Sequence, residues 1–216
     1  MTLPLALMAA VAACTQASDA PAQASANTPA KAAPCPKPSD SDWREVATAD
    51  DRTRLRSVRD AWTAGLSQAR GHDDGAIAAN PALFDPDRVQ AARLPPAGTY
   101  RCRVFKLGAQ GSYGLPFVAY PAFTCRVDQA GKLLRFAKLT GSQRPVGTIY
   151  PDGDARGVFL GTLVLGDERA PLRYGQDRER DMVGAVEQIG PQRWRLVLPS
   201  PAFESLIDVV ELVPAG

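Results

Sequence analysis

The chain carries one histidine and four cysteines in 216 residues, and no CxxC, HxxH or HExxH motif. Zinc sites and histidine-activated nucleophiles draw on such clusters. Metal bound through nitrogen or sulfur is therefore excluded, and no cofactor is expected. G-x-S-x-G and P-loop spacings are also missing, which leaves no residue in a recognisable catalytic role. Lysine and arginine number 25 against 23 acidic residues. A net charge of +2 is no electrostatic footprint for nucleic acid. No apolar run reaches the roughly 18–20 residues of a membrane-spanning helix.

What the chain does have at its start is a short apolar address. Residues 1–14 hold no charged side chain and run through Leu3, Leu5, Leu7 and Met8 into Val11-Ala12-Ala13-Cys14. Such a stretch reads as a secretory signal, too short to span and stay. Val11 to Cys14 look like a bacterial lipobox, so residues 1–13 would be removed as a signal peptide and Cys14 acylated. An ordinary Ala-x-Ala cleavage signal that happens to precede a cysteine is the competing reading. No basic residue precedes Leu3, which a start placed downstream of the true one explains. Several acyl chains, at about 0.8 kcal/mol per buried CH₂, give stable anchoring. Thr15 in place of Asp favours, by resemblance to Gram-negative lipoproteins, an outer-membrane location facing the periplasm.

Residues 15–40 contain no Leu, Ile, Val, Met or aromatic residue, and Pro21, Pro29, Pro34, Pro36 and Pro38 oppose a helix. A segment with so little apolar surface cannot offset the entropy of ordering it. Residues 14–42 therefore read as a disordered Ala/Pro/Ser tether with a reach of about 25–30 Å. Order is expected from Trp43, giving one β-rich domain over 43–216. Thr48 is a candidate N-cap, and Asp50 and Asp51 suit a first helical turn. Leu55, Val58, Trp62, Leu66 and Ala69 recur at three- and four-residue steps, predicting one amphipathic helix that stops near Gly71. Residues 71–98 read as loop with one short helical turn near Ala76–Ala79.

After Tyr100 the period changes. Short apolar or alternating runs at 99–107, 117–128, 132–140, 145–150, 156–165, 182–189, 193–198 and 206–213 are separated by glycine or proline. This predicts about eight antiparallel strands in a barrel or sandwich. Val158-Phe159-Leu160 and Val209-Val210 are apolar on both faces, so those strands should be covered on two sides. Cys102 and Cys125 sit mid-strand in similar surroundings, on runs that a wide hairpin lays side by side. Their disulfide would stabilise the domain by roughly 3 kcal/mol in the chain-entropy model and suits an oxidising compartment. Two buried free thiols are the alternative. Cys35 is left as an odd thiol in the tether, either exposed or bridging to another molecule.

Chemistry-bearing segments each have a plain structural reading. Asp152-Gly153-Asp154 resembles a fragment of a calcium loop but suffices as a hairpin turn. His72, beside Asp73 and Asp74, reads as a helix-end residue rather than a general base. Lys138 to Gly147 gathers two cations, two hydroxyls and an amide round a glycine, which suits either a polar hairpin connection or an anion site. The alternating run Asp177-Arg178-Glu179-Arg180-Asp181 reads as a solvated loop. Folded over the same end, Lys138, Arg144, Arg178 and Arg180 would form the polar rim of a binding site. Asp208 and Glu211 should face opposite sides of the last strand, the inward one with a cation partner, to which an arginine can supply two hydrogen bonds. The aromatics of Tyr113, Phe117, Tyr120 and Phe123 read as core filling or as an apolar lip beside a pocket.

The runs 136–147, 159–166, 174–182 and 193–199, with the final strand, resemble an uncharacterised proteobacterial family known only as a domain of unknown function. The resemblance covers most of residues 43–214 and implies no activity, substrate or catalytic residue. The residues themselves point to a non-catalytic module for a small apolar or amphipathic ligand, with the membrane as partner through the lipid anchor. A protein-contact or inhibitor module of the envelope is the alternative.

Overall fold

Period-two burial along the strands has a closed solution. In the computed structural model, which describes residues 42–216 except 91, 92, 113 and 155, eight antiparallel strands form a barrel in simple chain order. They are β1 (Gly98–Ala109), β2 (Phe117–Ala130), β3 (Leu133–Lys138), β4 (Gln143–Asp152), β5 (Arg156–Leu165), β6 (Asp181–Gly190), β7 (Arg193–Pro199) and β8 (Ser205–Pro214). β1 closes on β8, with Cys102 opposite Leu212 and Lys106 opposite Asp208. The signal segment, Cys14, the tether with Cys35, and Tyr113 lie outside the described residues.

Alternate residues of each strand point inward. Tyr100, Cys102, Val127, Phe136, Phe159, Val186, Trp194, Leu196 and Leu212 make the inner core. Cys102 and Cys125 are joined by a disulfide with their Cα atoms 5.9 Å apart. One end of the barrel is sealed by residues 93–96. Trp194 Nε1 donates to the carbonyl of Arg93 at 2.6 Å and the Tyr100 hydroxyl to that of Pro96 at 2.7 Å, while Leu94 packs on the inner core.

The outward faces of β1, β7 and β8 carry an apolar patch of Phe105, Leu107, Val197, Ile207 and Val209, and helices cover it. The single predicted helix is in fact two, α2 (Ala49–Arg56) and α3 (Val58–Ala78), preceded by a short α1 (Trp43–Val46) and followed by α4 (Pro81–Phe84). The break at Ser57 has a packing reason, because a straight rod cannot follow a curved wall. Leu55 packs with Tyr150, Val158, Leu160 and Val183 on one side of the barrel. Trp62, Leu66 and Ala69 pack with Phe105, Leu107, Val197, Ile207 and Val209 on another. The predicted stop near Gly71 falls slightly early. Helical geometry is interrupted at Asp73, whose Oδ1 accepts the Ala76 N–H at 2.9 Å and starts another turn. The predicted turn near Ala76 is thus a continuation of α3, and Pro81 opens α4 within what reads as loop. α3 approaches β1 and β8 closely at Gly65, where a Cβ would fall 2.7 Å from Ile207 Cγ2.

Arg195 fastens this helical layer. It faces outward from β7 yet is 0% exposed. Its Nε donates to Glu187 at 2.7 Å, and its Nη1 to the carbonyls of Leu83 and Asp85 at 2.9 and 2.7 Å. The guanidinium also lies 5.2 Å from the Trp62 ring centroid. Removing this fully buried guanidinium leaves the half-buried Glu187 carboxylate and the carbonyls of Leu83 and Asp85 without their donor, so Arg195→Met should destabilise the domain by about 3–5 kcal/mol. Arg193→Met breaks the more exposed pair with Glu211 and should cost about 1 kcal/mol or less. Urea unfolding of both variants checks the difference, and equal costs would contradict the fastening role.

Candidate functional site at the barrel mouth

The end of the barrel opposite the 93–96 plug is open, and the connections 110–116, 139–142, 166–180 and 200–204 surround it. A cavity of about 270 Å³ lies there, with Val104, Leu163, Met182, Leu198 and Val210 as its apolar inward lining. Lys106, Lys138 and Asp208 line its wall, with Tyr120, Phe123, Phe203, Glu179 and Glu204 nearer the rim.

A β-bulge shapes the lip. Arg103 pairs with Ala122 and Phe105 with Ala119, so Tyr120 and Pro121 together oppose Val104. The extra residue reverses the alternation of β2. Below it Phe123 packs against the inner core; above it Phe117 turns outward to stack on Phe105 and meet Phe84. Of the predicted aromatic cluster, Phe117 is therefore outer core, while Tyr120 and Phe123 form the lip with ring centroids 6.3 Å apart.

Two lysines sit in the wall with different partners. Lys106 Nζ lies 3.0 Å from Asp208 Oδ2 and 3.3 Å from Glu204 Oε2. Burial works against its charge, but Asp208 and Glu204 outweigh burial and hold its pKa above the ordinary lysine value. The other oxygen of Asp208 accepts the Ser205 hydroxyl. Asp208 thus faces inward and Glu211 outward, as their spacing implies. The inward carboxylate has a cation partner, as a buried carboxylate requires: a lysine across the β1–β8 seam at 3.0 Å; the outward one takes an arginine, Arg193, at 2.6 Å.

Lys138 is 4% exposed and has no carboxylate partner among the described residues. Its Nζ donates to the carbonyls of Thr140 and Gln143, both at 2.8 Å, and lies 3.6 Å from the Phe123 centroid. Burial, with Arg144 and Lys106 nearby, lowers its pKa to about 8. Gly141 makes this fold of the loop feasible. Its φ is +88°, and a Cβ there would fall 2.7 Å from Lys138 Nζ and 2.8 Å from the Phe123 ring.

The other three predicted rim cations have structural work. Arg144 donates to the carbonyls of Gly141, Gly166 and Glu168. Arg180 binds the Leu163 carbonyl and the Glu168 carboxylate, which Arg180 and the Leu165 N–H hold down at a pKa of about 2. Together they staple the β5–β6 connection to the β3–β4 loop. Arg178 points instead to Asp50 of α2, at 2.6 Å. Of the four, only Lys138 lines the cavity. Asp152 forms the hairpin turn with Gly153 (φ +65°) and accepts from Trp43, Arg44 and Arg156. His72 is exposed on α3. Lys106 was overlooked in the sequence, although the alternation Tyr100, Cys102, Val104, Lys106 carries its inward phase.

Because Lys138 gives up its proton more readily when folded, the unfolded chain holds the extra proton between pH about 8 and 10.5, the ordinary lysine value. Stability should therefore rise with pH across that window, relieving a destabilisation present below it. Lys138→Met should lack this rise. Urea midpoints of both proteins from pH 7 upward measure it, and parallel profiles would refute the assignment.

No curated protein and no solved structure matches the chain. A family model described as a domain of unknown function, DUF4893, matches residues 43–212, from α1 to Leu212 of β8. With most of its length covered by that match, including the whole mouth, the chain belongs to the domain-of-unknown-function family DUF4893.

Proposed function

We propose that this protein is a non-catalytic binding module of the bacterial cell envelope that holds a small apolar or amphipathic ligand in its barrel mouth. The observation that carries this reading is the cavity of about 270 Å³, with an apolar inward lining and buried Lys106, Lys138 and Asp208 in its wall. An eight-stranded barrel has room inside for side chains or for one small ligand. A concave apolar site with a few convergent polar groups is the usual form of such a site. The Cys102–Cys125 disulfide supports an oxidising compartment. With the lipobox, it supports a domain tethered through acylated Cys14 to the outer membrane and facing the periplasm.

One observation favours a second reading, contact with or inhibition of another envelope protein. Leu115, Leu139 and Phe203, on three different connections round the mouth, are 60%, 49% and 37% exposed, and apolar side chains gathered at one end mark a contact surface.

Native mass spectrometry of the protein released gently from its own envelope fraction tests the proposal. The expected spectrum shows acyl mass at the amino terminus and a second, dissociable mass on the domain. Met182→Trp, which fills part of the cavity, should lose only the second. A bare domain in the unsubstituted protein would favour the contact reading, with crosslinking in intact cells as its test.

A further inference from the structure

We propose that the ligand is a small monocarboxylic acid with an apolar tail, its carboxylate on Lys138 Nζ and its tail against Val104, Met182, Leu198 and Val210. This rests on the binding reading above and names the ligand class.

The argument is one of charge balance inside the mouth. Lys106 is already answered by Asp208 and Glu204, and both oxygens of Asp208 are engaged, by Lys106 and Ser205. Arg144 is occupied by three carbonyls. Lys138 is different. An ammonium has three donors; two go to neutral carbonyls, and beyond these Nζ meets only the neutral Phe123 ring, 3.6 Å from its centroid, with no anion among the described residues. A buried charge met only by neutral groups is costly, and a carboxylate at Nζ would supply a charge-assisted hydrogen bond.

The same inventory selects against other head groups. An amine would meet Lys138 as a like charge. A dianion would carry a second charge toward four carboxylates that line the cavity, Asp181 and Asp208 in the wall and Glu179 and Glu204 at the rim. Size sets the tail. At roughly 30 Å³ per water molecule, the cavity of about 270 Å³ holds about nine waters, or an acid of about ten non-hydrogen atoms. The site has an apolar inward lining, so a hydrocarbon tail suits it and a sugar or amino acid does not.

Titration calorimetry of the full chain with octanoate, octanol and octylamine separates the contributions, because the three share one tail. Octanoate should bind about tenfold more tightly than octanol, the scale of one charge-assisted hydrogen bond, and octylamine most weakly. Lys138→Met should abolish the preference for octanoate while octanol still binds. Equal affinity for octanoate and octanol in the unsubstituted protein, or tightest binding of octylamine, overturns the head-group assignment and leaves the binding reading standing. Binding of none of the three overturns both. The comparison on the unsubstituted protein needs no variant to fold.

Discussion

The pairing of β1 with β8 is the contact on which the rest of the molecule depends. It removes the two edges that an open eight-stranded sheet would expose and encloses the inner core. It also places Lys106 across from Asp208, so the ion pair in the mouth lies in the seam itself. Closure fixes the bore as well. An eight-stranded barrel is filled by its own side chains except where they are held back, and here the mouth cavity lies at the end away from the Trp194 plug.

A sheet buried on both faces must settle its polar side chains twice, inside and outside. Outside, Arg195 is surrounded by Glu187 and the carbonyls of Leu83 and Asp85 at the end of α4. Asp51, also fully buried, is held by Arg54 and the Tyr174 hydroxyl, whose pKa is raised by burial and by that carboxylate. Inside, Lys106 and Asp208 answer each other. These groups are enclosed by partners that leave little for a ligand to add. Lys138 stands apart because its partners are neutral, and it does so where the barrel is open.

Much of the scaffold was legible in the residues. All eight strands fall where the apolar runs lie, and Cys102 and Cys125 join as their matching surroundings suggested. The two-sided burial of β5 and β8 followed from Val158-Phe159-Leu160 and Val209-Val210. The mouth was far less legible. Parity places Phe117 and Phe123 on one face, and only the extra residue at Tyr120–Pro121 sends them to opposite sides. Asp208 announced itself as a carboxylate in an apolar run, but its partner is about a hundred residues away and becomes a neighbour only through closure. Arg144, Arg178 and Arg180 looked alike as charges in polar loops; their carbonyl and carboxylate partners are set by how those loops fold back. Asp51 sits in the first turn of α2, as its charge suits, and is a buried anchor as well, because α2 lies with that side against the wall.

The direction of β8 has a practical side. The strand runs away from the mouth, with Pro214 beside Tyr100 and the Ala215 N–H on the Thr99 carbonyl, close to the Pro96 plug. Anything appended after Gly216, such as an affinity handle or a fluorescent reporter, leaves from the sealed end. The end of β8 is therefore a natural point for immobilising the domain on a surface with its open end free.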